Sequence, residues 1–239
     1  MKHEPRDGNA ASEHMNTFLG AIVDDDLARV TALLSRNPDL ANRPIDNERL
    51  YESGIFHWIY VGDTALHLAA AGYRVEIVQL LIAAAADPNS AENRRRSSPL
   101  HYGADGYITG PAWDPGRQVE TLRLLLGNGA DINAQDQNGA TALHRSVRTR
   151  CAAAALYLLS AGSDPTRRNK SGSTPFHLAV QNTGRGDTGE EIAKNAQRQI
   201  VEGFLSFGID ARLKDGRGRS VLDCAQSGWI RDAVARSVA

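Results

Sequence analysis

The sequence predicts an all-α solenoid of about six helix-turn-helix repeats with three insertions. A tetrapeptide of the form Thr/Ser-Ala/Pro-Leu/Phe-His occurs four times, an apolar pair and an Asp-containing turn follow each copy, and the copies are 33 or 34 residues apart where no extra residues intervene. The copies are Thr64–His67, Ser98–His101, Thr141–His144 and Thr174–His177. A period of this length indicates stacked units that bury their apolar faces against each other.

Each tetrapeptide has the chemistry of a helix start. The Thr or Ser hydroxyl can accept a hydrogen bond from the first free amides, proline suits the first helical turn, and the leucine begins the buried face. The histidine can bond back to the capping residue. Structural roles are therefore predicted for His67, His101, His144 and His177. Because His3 and His14 lie in the polar tail, only His57 is unexplained, and no catalytic residue is predicted.

The repeated Thr-Pro-Leu-His pattern and its period resemble the ankyrin-repeat family, including bacterial members with long inserts. The resemblance covers most of the chain, because four copies keep register with four second-helix patterns. It implies that each repeat is a hairpin-like turn followed by two antiparallel helices, with the first helices and the turn tips lining a concave side. It also implies a non-enzymatic scaffold that binds a protein partner.

The register divides residues 17–239, taken as one ankyrin-repeat domain, into six repeats. Their approximate limits are 17–50, 62–95, 96–138, 139–171, 172–217 and 218–239. The last repeat has Arg236 and Ser237 where an earlier one has Leu80 and Leu81, as expected for a closing repeat with a polar outer face. Residues 1–16 are polar and mixed in charge, and we expect a disordered leader there.

Three insertions interrupt the period, and function in repeat proteins depends on such departures. The first extends the turn between repeats one and two: 22 residues separate Asn42 from Thr64, whereas nine separate Asn89 from Ser98. The second and third separate the two helices of repeats three and five.

Aromatic residues concentrate in the first insertion, which we call the finger. It carries Tyr51, Phe56, Trp58 and Tyr60. Aromatic side chains anchor protein interfaces, so Tyr51, Phe56 and Trp58 are candidate partner-binding residues. The alternative is that the finger folds its aromatics onto the neighbouring helices.

The second and third insertions flank the short turn between the two helices of repeat four, and together they suggest a ligand pocket. Its predicted residues are Trp113, Gln118, Arg145, Arg148, Asn182 and Arg185. Arginine forks suit a carboxylate or a phosphate. In the alternative interpretation, these arginines pair with the acids of the inserts and fix the loops. Those acids are Asp114, Asp187, Glu190 and Glu191.

The predicted turn tips are basic and favour an acidic protein partner. Arg95, Arg168 and Lys170 on the tips, with Arg145 and Arg148 on the concave side, complete the partner-binding prediction. Solvated tips that bind nothing are the alternative. Nucleic acid is disfavoured, because basic and aromatic residues do not interleave in one stretch.

Composition limits the remaining possibilities. With 27 Lys and Arg against 28 Asp and Glu, the formal net charge is −1, which argues against a general nucleic-acid or membrane-surface binder. No apolar run reaches the roughly 18 residues of a membrane span, and the N-terminus lacks a signal peptide, so we expect a cytoplasmic location.

No metal or cofactor motif is present. The rival hypotheses are a small-molecule or anion receptor or enzyme that uses the insert pocket, and a structural subunit of an assembly.

Overall fold

The computed structural model describes residues 7–51, 54–111, 113–181 and 190–238. Contacts between residues divide the chain into two compact units. The first comprises residues 1–103 with 120–130, and the second comprises residues 104–119 with 131–239.

Twelve helices occur in the described residues and form six successive pairs, which confirms the predicted fold class. The first six are α1 (Asp7–Val23), α2 (Leu27–Arg36), α3 (Ala65–Ala71), α4 (Val75–Ala83), α5 (Pro99–Ala104) and α6 (Pro115–Gly127). The others are α7 (Ala142–Arg148), α8 (Ala152–Ser160), α9 (Pro175–Ala179), α10 (Glu191–Ser206), α11 (Val221–Cys224) and α12 (Gly228–Val238). A 3₁₀ turn spans Pro38–Ala41. None of the helices in the described ranges is both long enough and apolar enough to span a bilayer.

The tetrapeptides start helices as predicted. In repeat four, the backbone N–H of Thr141 donates to His144 Nδ1 at 3.1 Å, and the N–H of His144 donates to the Thr141 hydroxyl at 3.4 Å. The other ring nitrogen, His144 Nε2, lies 3.1 Å from the carbonyl oxygen of Ser173 in the next repeat. His67 and His177 make the equivalent contacts, so each of these three histidines closes its own helix cap and also ties one repeat to the following turn.

One feature differs from the prediction, and a second was not predicted. Residues 7–16 of the expected disordered leader belong to α1, because buried Met15 precedes Phe18 and Ile22 on the same apolar stripe and extends it by one turn. Residues 1–6 lie outside the described residues. The sequence assigned no secondary structure to the finger, and the structure shows a two-stranded antiparallel sheet there, β1 (Arg49–Tyr51) and β2 (His57–Ile59).

The turn before α9 and the turn before α11, which we call the tips of repeats five and six, pack backbone against backbone. Gly172 has a φ of +81°, and a Cβ added there would lie 2.7 Å from the Cα of Gly216. The N–H of Gly216 donates to the Gly172 carbonyl at 2.8 Å. The close approach therefore requires a residue without a side chain.

We expect Gly172→Ala to lower the free energy of unfolding by about 2–4 kcal/mol, because a left-handed backbone conformation and a clash with fixed backbone both oppose the methyl group. Gly162→Ala is the matched control, since Gly162 has a φ of +94° and no atom near the added Cβ. It should cost only about 1–2 kcal/mol. Urea unfolding measures both, and equal losses would contradict tight packing of the tips.

Candidate functional site

Four of the six predicted pocket residues come together in the second unit, around a residue that the sequence did not single out, Asp105. Arg145 and Arg148 both reach its carboxylate, with Arg145 Nη1 at 3.1 Å and Arg148 Nη2 at 3.4 Å. Its carbonyl oxygen accepts from Gln118 Nε2 at 3.1 Å, and Gln118 Oε1 accepts from Trp113 Nε1 at 3.2 Å. We call these residues the Asp105 cluster.

Arg145 is the centre of this cluster. It projects from α7 and is 3% exposed, and its second guanidinium nitrogen, Nη2, donates to Asp136 Oδ2 at 2.8 Å. The other oxygen of Asp136 accepts from the backbone N–H groups of Asn138 and Ala140 at 2.7 and 3.0 Å. The turn before α7 therefore positions Asp136 through hydrogen bonds that do not involve Arg145.

The electrostatics of the cluster are those of a closed ionic network. Burial raises the pKa of Asp136, but the hydrogen bond and positive charge of Arg145 outweigh burial and leave that pKa below its ordinary value. The neighbouring thiol is Cys151, and burial raises its pKa, so it is not an activated thiolate. This arrangement offers a fixed scaffold and no activated nucleophile.

The turn tips of repeats five and six form a second feature of the second unit. Exposed cations lie on both tips, and none of them pairs with a carboxylate in the described part of the chain. They are Arg168, Lys170, Lys214 and Arg217, which we call the basic tips. The acids of the same tips are occupied: Asp164 accepts from Thr166 and Arg167, and Asp215 is buried against Arg219.

The finger, in the first unit, has two different faces. Trp58 pairs with Leu50 across the sheet, and Ile59 pairs with Arg49. Because side chains alternate along a strand, Trp58 lies on one face and buried Ile59 on the other. Trp58 is 47% exposed, and Phe56, which immediately precedes β2, is 42% exposed.

A buried polar network holds the finger in place. The Tyr102 hydroxyl donates to Asp63 Oδ2 at 2.7 Å, and the N–H of Tyr60 donates to the same oxygen at 2.7 Å. The ring of His57 lies 4.6 Å from that of Tyr102, which accounts for the one histidine left unexplained by the repeat pattern. At the base, the N–H of Ile45 donates to the Asp63 carbonyl at 2.7 Å.

Comparison with known proteins agrees with this architecture. The family model described as ankyrin repeats in three copies matches residues 112–215, and the single ankyrin-repeat model matches residues 61–93. The chain belongs to the ankyrin-repeat family. A crystal structure of an ankyrin repeat domain from Acinetobacter baumannii AYE superposes with a TM-score of 0.64 at 22% identity, covering 92% of this chain and 95% of that one.

Similar curated proteins are much longer than this ankyrin-repeat chain. The ankyrin repeat and LEM domain-containing protein 1 homolog of Caenorhabditis elegans is 35% identical over 50% of this chain and 16% of its own length. The human transient receptor potential cation channel subfamily A member 1 is 31% identical over 73% of this chain and 16% of its own. Human ankyrin repeat and SOCS box protein 16 is 29% identical over 69% and 33%. The chain spans a third or less of each.

Gln197 was missed from the sequence, although the ankyrin register makes it equivalent to Gln118. Gln118 in α6 and Gln197 in α10 occupy equivalent positions in the second helices of repeats three and five, the two repeats with helix-to-helix insertions. Gln197 Nε2 donates to the carbonyl oxygens of Ala179 and Gln181 at 2.8 and 2.6 Å, as Gln118 does to Asp105. The equivalent register of the two glutamines was the signal that could have identified Gln197. Each glutamine holds the end of the first helix where its insertion begins.

Arg150 is a second residue that was missed. It donates to the carbonyl oxygens of Leu178, Ala179 and Gln181, at the end of α9, with distances of 3.4, 3.3 and 2.8 Å. Burial lowers its pKa to about 10. Its buried side chain therefore clamps the end of α9.

The structure corrects the expected exposure of Arg145. The sequence placed it on a partner-facing surface, whereas Asp105 and Asp136 hold its guanidinium in the interior. Arg148 remains exposed, with 61% of its side chain accessible. The ion pairs resemble the alternative interpretation of pinned loops, although the acids are not those named from the sequence. Two predicted pocket residues, Asn182 and Arg185, lie outside the described residues.

One group of potential metal ligands occurs in the described residues: His177, Asp215 and Cys224, whose ligand atoms lie within 4.8 Å of one another. His177 Nδ1 lies 2.8 Å from the Thr174 hydroxyl, and its Nε2 lies 3.1 Å from the Arg219 carbonyl oxygen. These are the bonds of the other ankyrin histidines. The ring nitrogens are therefore occupied by the repeat's own structure, and we assign no metal to this group.

Proposed function

We propose that this ankyrin-repeat chain is a non-enzymatic protein-binding module that takes an acidic segment of a partner on the basic tips. Ankyrin repeats are generally protein–protein interaction modules. The observation that carries the finer proposal is the charge of the tips of repeats five and six, where the four cations lack carboxylate partners and the neighbouring acids are already bonded.

The separation of charges explains why an acidic partner fits. Asp164 and Asp215 are used to build the turns, so their charges are partly compensated within the protein. The four cations are exposed and have no carboxylate partner in the described part of the chain, although Arg168 Nη2 donates to the carbonyl oxygen of Lys214 at 2.7 Å. Unpaired surface charges of one sign attract an oppositely charged partner and raise its association rate more than its final affinity.

Charge reversal at the tips tests the proposal. Lys170→Glu with Arg217→Glu should weaken binding of a short glutamate-rich peptide by about tenfold or more and flatten its salt dependence, because each reversal replaces attraction by repulsion. Fluorescence anisotropy of the labelled peptide at about 50 and about 200 mM NaCl measures both quantities.

The matched control carries the same change of charge elsewhere. Arg29→Glu with Arg36→Glu reverses two exposed arginines on α2, in the first unit. It should change the peptide affinity by no more than about twofold. Unchanged binding by the tip variant, or an equal loss in the control, would exclude the basic tips as the binding surface.

The receptor or enzyme hypothesis is not favoured by a specific observation. Its two central arginines share Asp105, and Arg145 is buried and doubly paired. We therefore expect phosphate or citrate to leave the melting temperature where an equal ionic strength of chloride leaves it. A larger rise that Arg148→Ala abolishes would restore the pocket hypothesis.

A further inference from the structure

The finger exposes several apolar side chains although Ile55 and Ile59 of the same segment are buried. Among the described residues, three of the large hydrophobic side chains that remain exposed lie within six consecutive positions: Phe56 at 42%, Trp58 at 47% and Val61 at 47%. Trp58 also stacks on Tyr60, with 6.5 Å between the ring centroids. We call Phe56, Trp58, Tyr60 and Val61 the finger patch.

The finger patch is not needed to attach the finger to the repeats. Attachment is provided from the opposite face, where Ile55 and Ile59 are buried and His57 contacts Tyr102. Arg74 Nη2 adds a hydrogen bond to the Gly54 carbonyl at 3.4 Å. The exposed aromatics are therefore presented by a ribbon whose position is fixed independently of them.

Phe56 has a backbone conformation that its side chain disfavours. Its φ is +53°, in the left-handed region where glycine and asparagine are the favoured residues. A bulky aromatic kept there at an exposed site lowers stability without filling the core. Residues in such conformations concentrate at binding and catalytic sites.

Arginine side chains lie against two tyrosines of the finger. The Arg95 guanidinium lies 4.5 Å from the centroid of the Tyr60 ring, and Arg49 lies over the Tyr51 ring at 5.7 Å. Arg94 and Arg96 are exposed on the same turn as Arg95. Within the described ranges, none of these four arginines forms an ion pair with a carboxylate. A partner that covers the patch and carries carboxylates could therefore pair them with these guanidinium groups.

We propose that the finger patch docks a partner segment that carries a large aromatic side chain flanked by carboxylates. The aromatic side chain stacks against Trp58 and Phe56, and the carboxylates pair with Arg95 and its neighbours. The inference deepens the proposed function, since it supposes that the chain binds proteins, but it uses a different surface in the other unit. The basic tips recognise charge alone, whereas the finger patch selects an aromatic residue.

A set of three synthetic peptides tests this selectivity. The first has a central phenylalanine between glutamates, the second replaces that phenylalanine by alanine, and the third replaces the glutamates by glutamines. Titration calorimetry with the full chain should show the first peptide binding about tenfold more tightly than each of the others. Equal affinities for the phenylalanine and alanine peptides would overturn the proposal.

Substitutions at the patch locate the effect. Trp58→Ser should reduce the preference for phenylalanine to within about twofold. Phe56→Gly should weaken binding of the phenylalanine peptide while leaving the melting temperature unchanged or raised, because glycine accepts the left-handed conformation. The same preference in Trp58→Ser as in the original chain would overturn the proposal.

Two controls separate this proposal from its alternatives. Phe207→Ser removes an aromatic side chain of equal exposure, 47%, from the second unit and should leave the preference intact. Lys170→Glu with Arg217→Glu should weaken the phenylalanine and alanine peptides alike and preserve their ratio, so that failure of the basic tips and failure of the finger patch are distinguishable. Self-association in sedimentation that Trp58→Ser abolishes would assign the patch to a second copy of the chain and overturn the proposal.

Discussion

Arg145→Ala is expected to lower the free energy of unfolding by about 3–5 kcal/mol, because removing one partner of a buried ion pair leaves the other charges without compensation. Asp136 is 8% and Asp105 9% exposed, and Arg145 bonds to both. Arg148 reaches only Asp105 and would not replace the lost bond to Asp136. Urea unfolding monitored by circular dichroism measures the loss.

Arg148→Ala is the matched control for this prediction. This substitution removes a positive charge from the same helix and an ion-pair partner of the same acid, Asp105. Because the Arg148 side chain is largely exposed, the free energy of unfolding should fall by less than about 1 kcal/mol. Replacing the whole network by Arg145→Met, Asp105→Asn and Asp136→Asn should destabilise less than Arg145→Ala alone. Similar small losses for Arg145→Ala and Arg148→Ala would contradict a buried network.

Stability is expected to fall as the pH is lowered from about 7.5 to about 5, because three repeat histidines are held neutral in the folded chain. Burial lowers the pKa of His67, His144 and His177 below the ordinary value of 6.5. The unfolded chain therefore binds protons first. The contribution of these histidines to stability is full well above pH 6.5 and is lost as the pH falls through 6.5 toward their folded-state pKa values.

The midpoint of urea unfolding at several pH values measures this effect. His144→Asn should lower stability at neutral pH and reduce the pH dependence, because one of the three groups no longer titrates. His14→Gln changes an exposed histidine on α1 and should leave the dependence unchanged. A midpoint that is constant or rises on acidification would contradict neutral, buried histidines.

The parts of the fold that were predictable depend on contacts between residues close in the chain. The cap bond joins Thr141 to His144, three positions apart, so the tetrapeptide contains both partners. The repeat period then fixes where the next helix must lie. The repeat period also places Gln118 and Gln197 at equivalent positions, so their shared role at the second and third insertions could have been predicted from the sequence.

The parts that were not predictable depend on partners distant in the chain. Arg145 was recognised as important, but its two acids lie 40 and nine positions away, and no periodic signal marks Asp105. Its burial therefore could not be inferred. The finger is an insertion with no counterpart in other repeats, so neither its two strands nor the left-handed conformation of Phe56 follows from the period.

We infer that the Asp105 cluster is a fixed network, whereas the basic tips and the finger patch bind partners. Hydrogen–deuterium exchange of the full chain with bound peptide tests this division most directly. With the glutamate-rich peptide, slower exchange is expected at residues 166–171 and 212–218, and with the phenylalanine peptide also at residues 54–61. Residues 113–118 and 145–148 should exchange as in the free chain. Slower exchange at those last two segments, without change at the tips and the finger, would contradict this division and place binding at the Asp105 cluster.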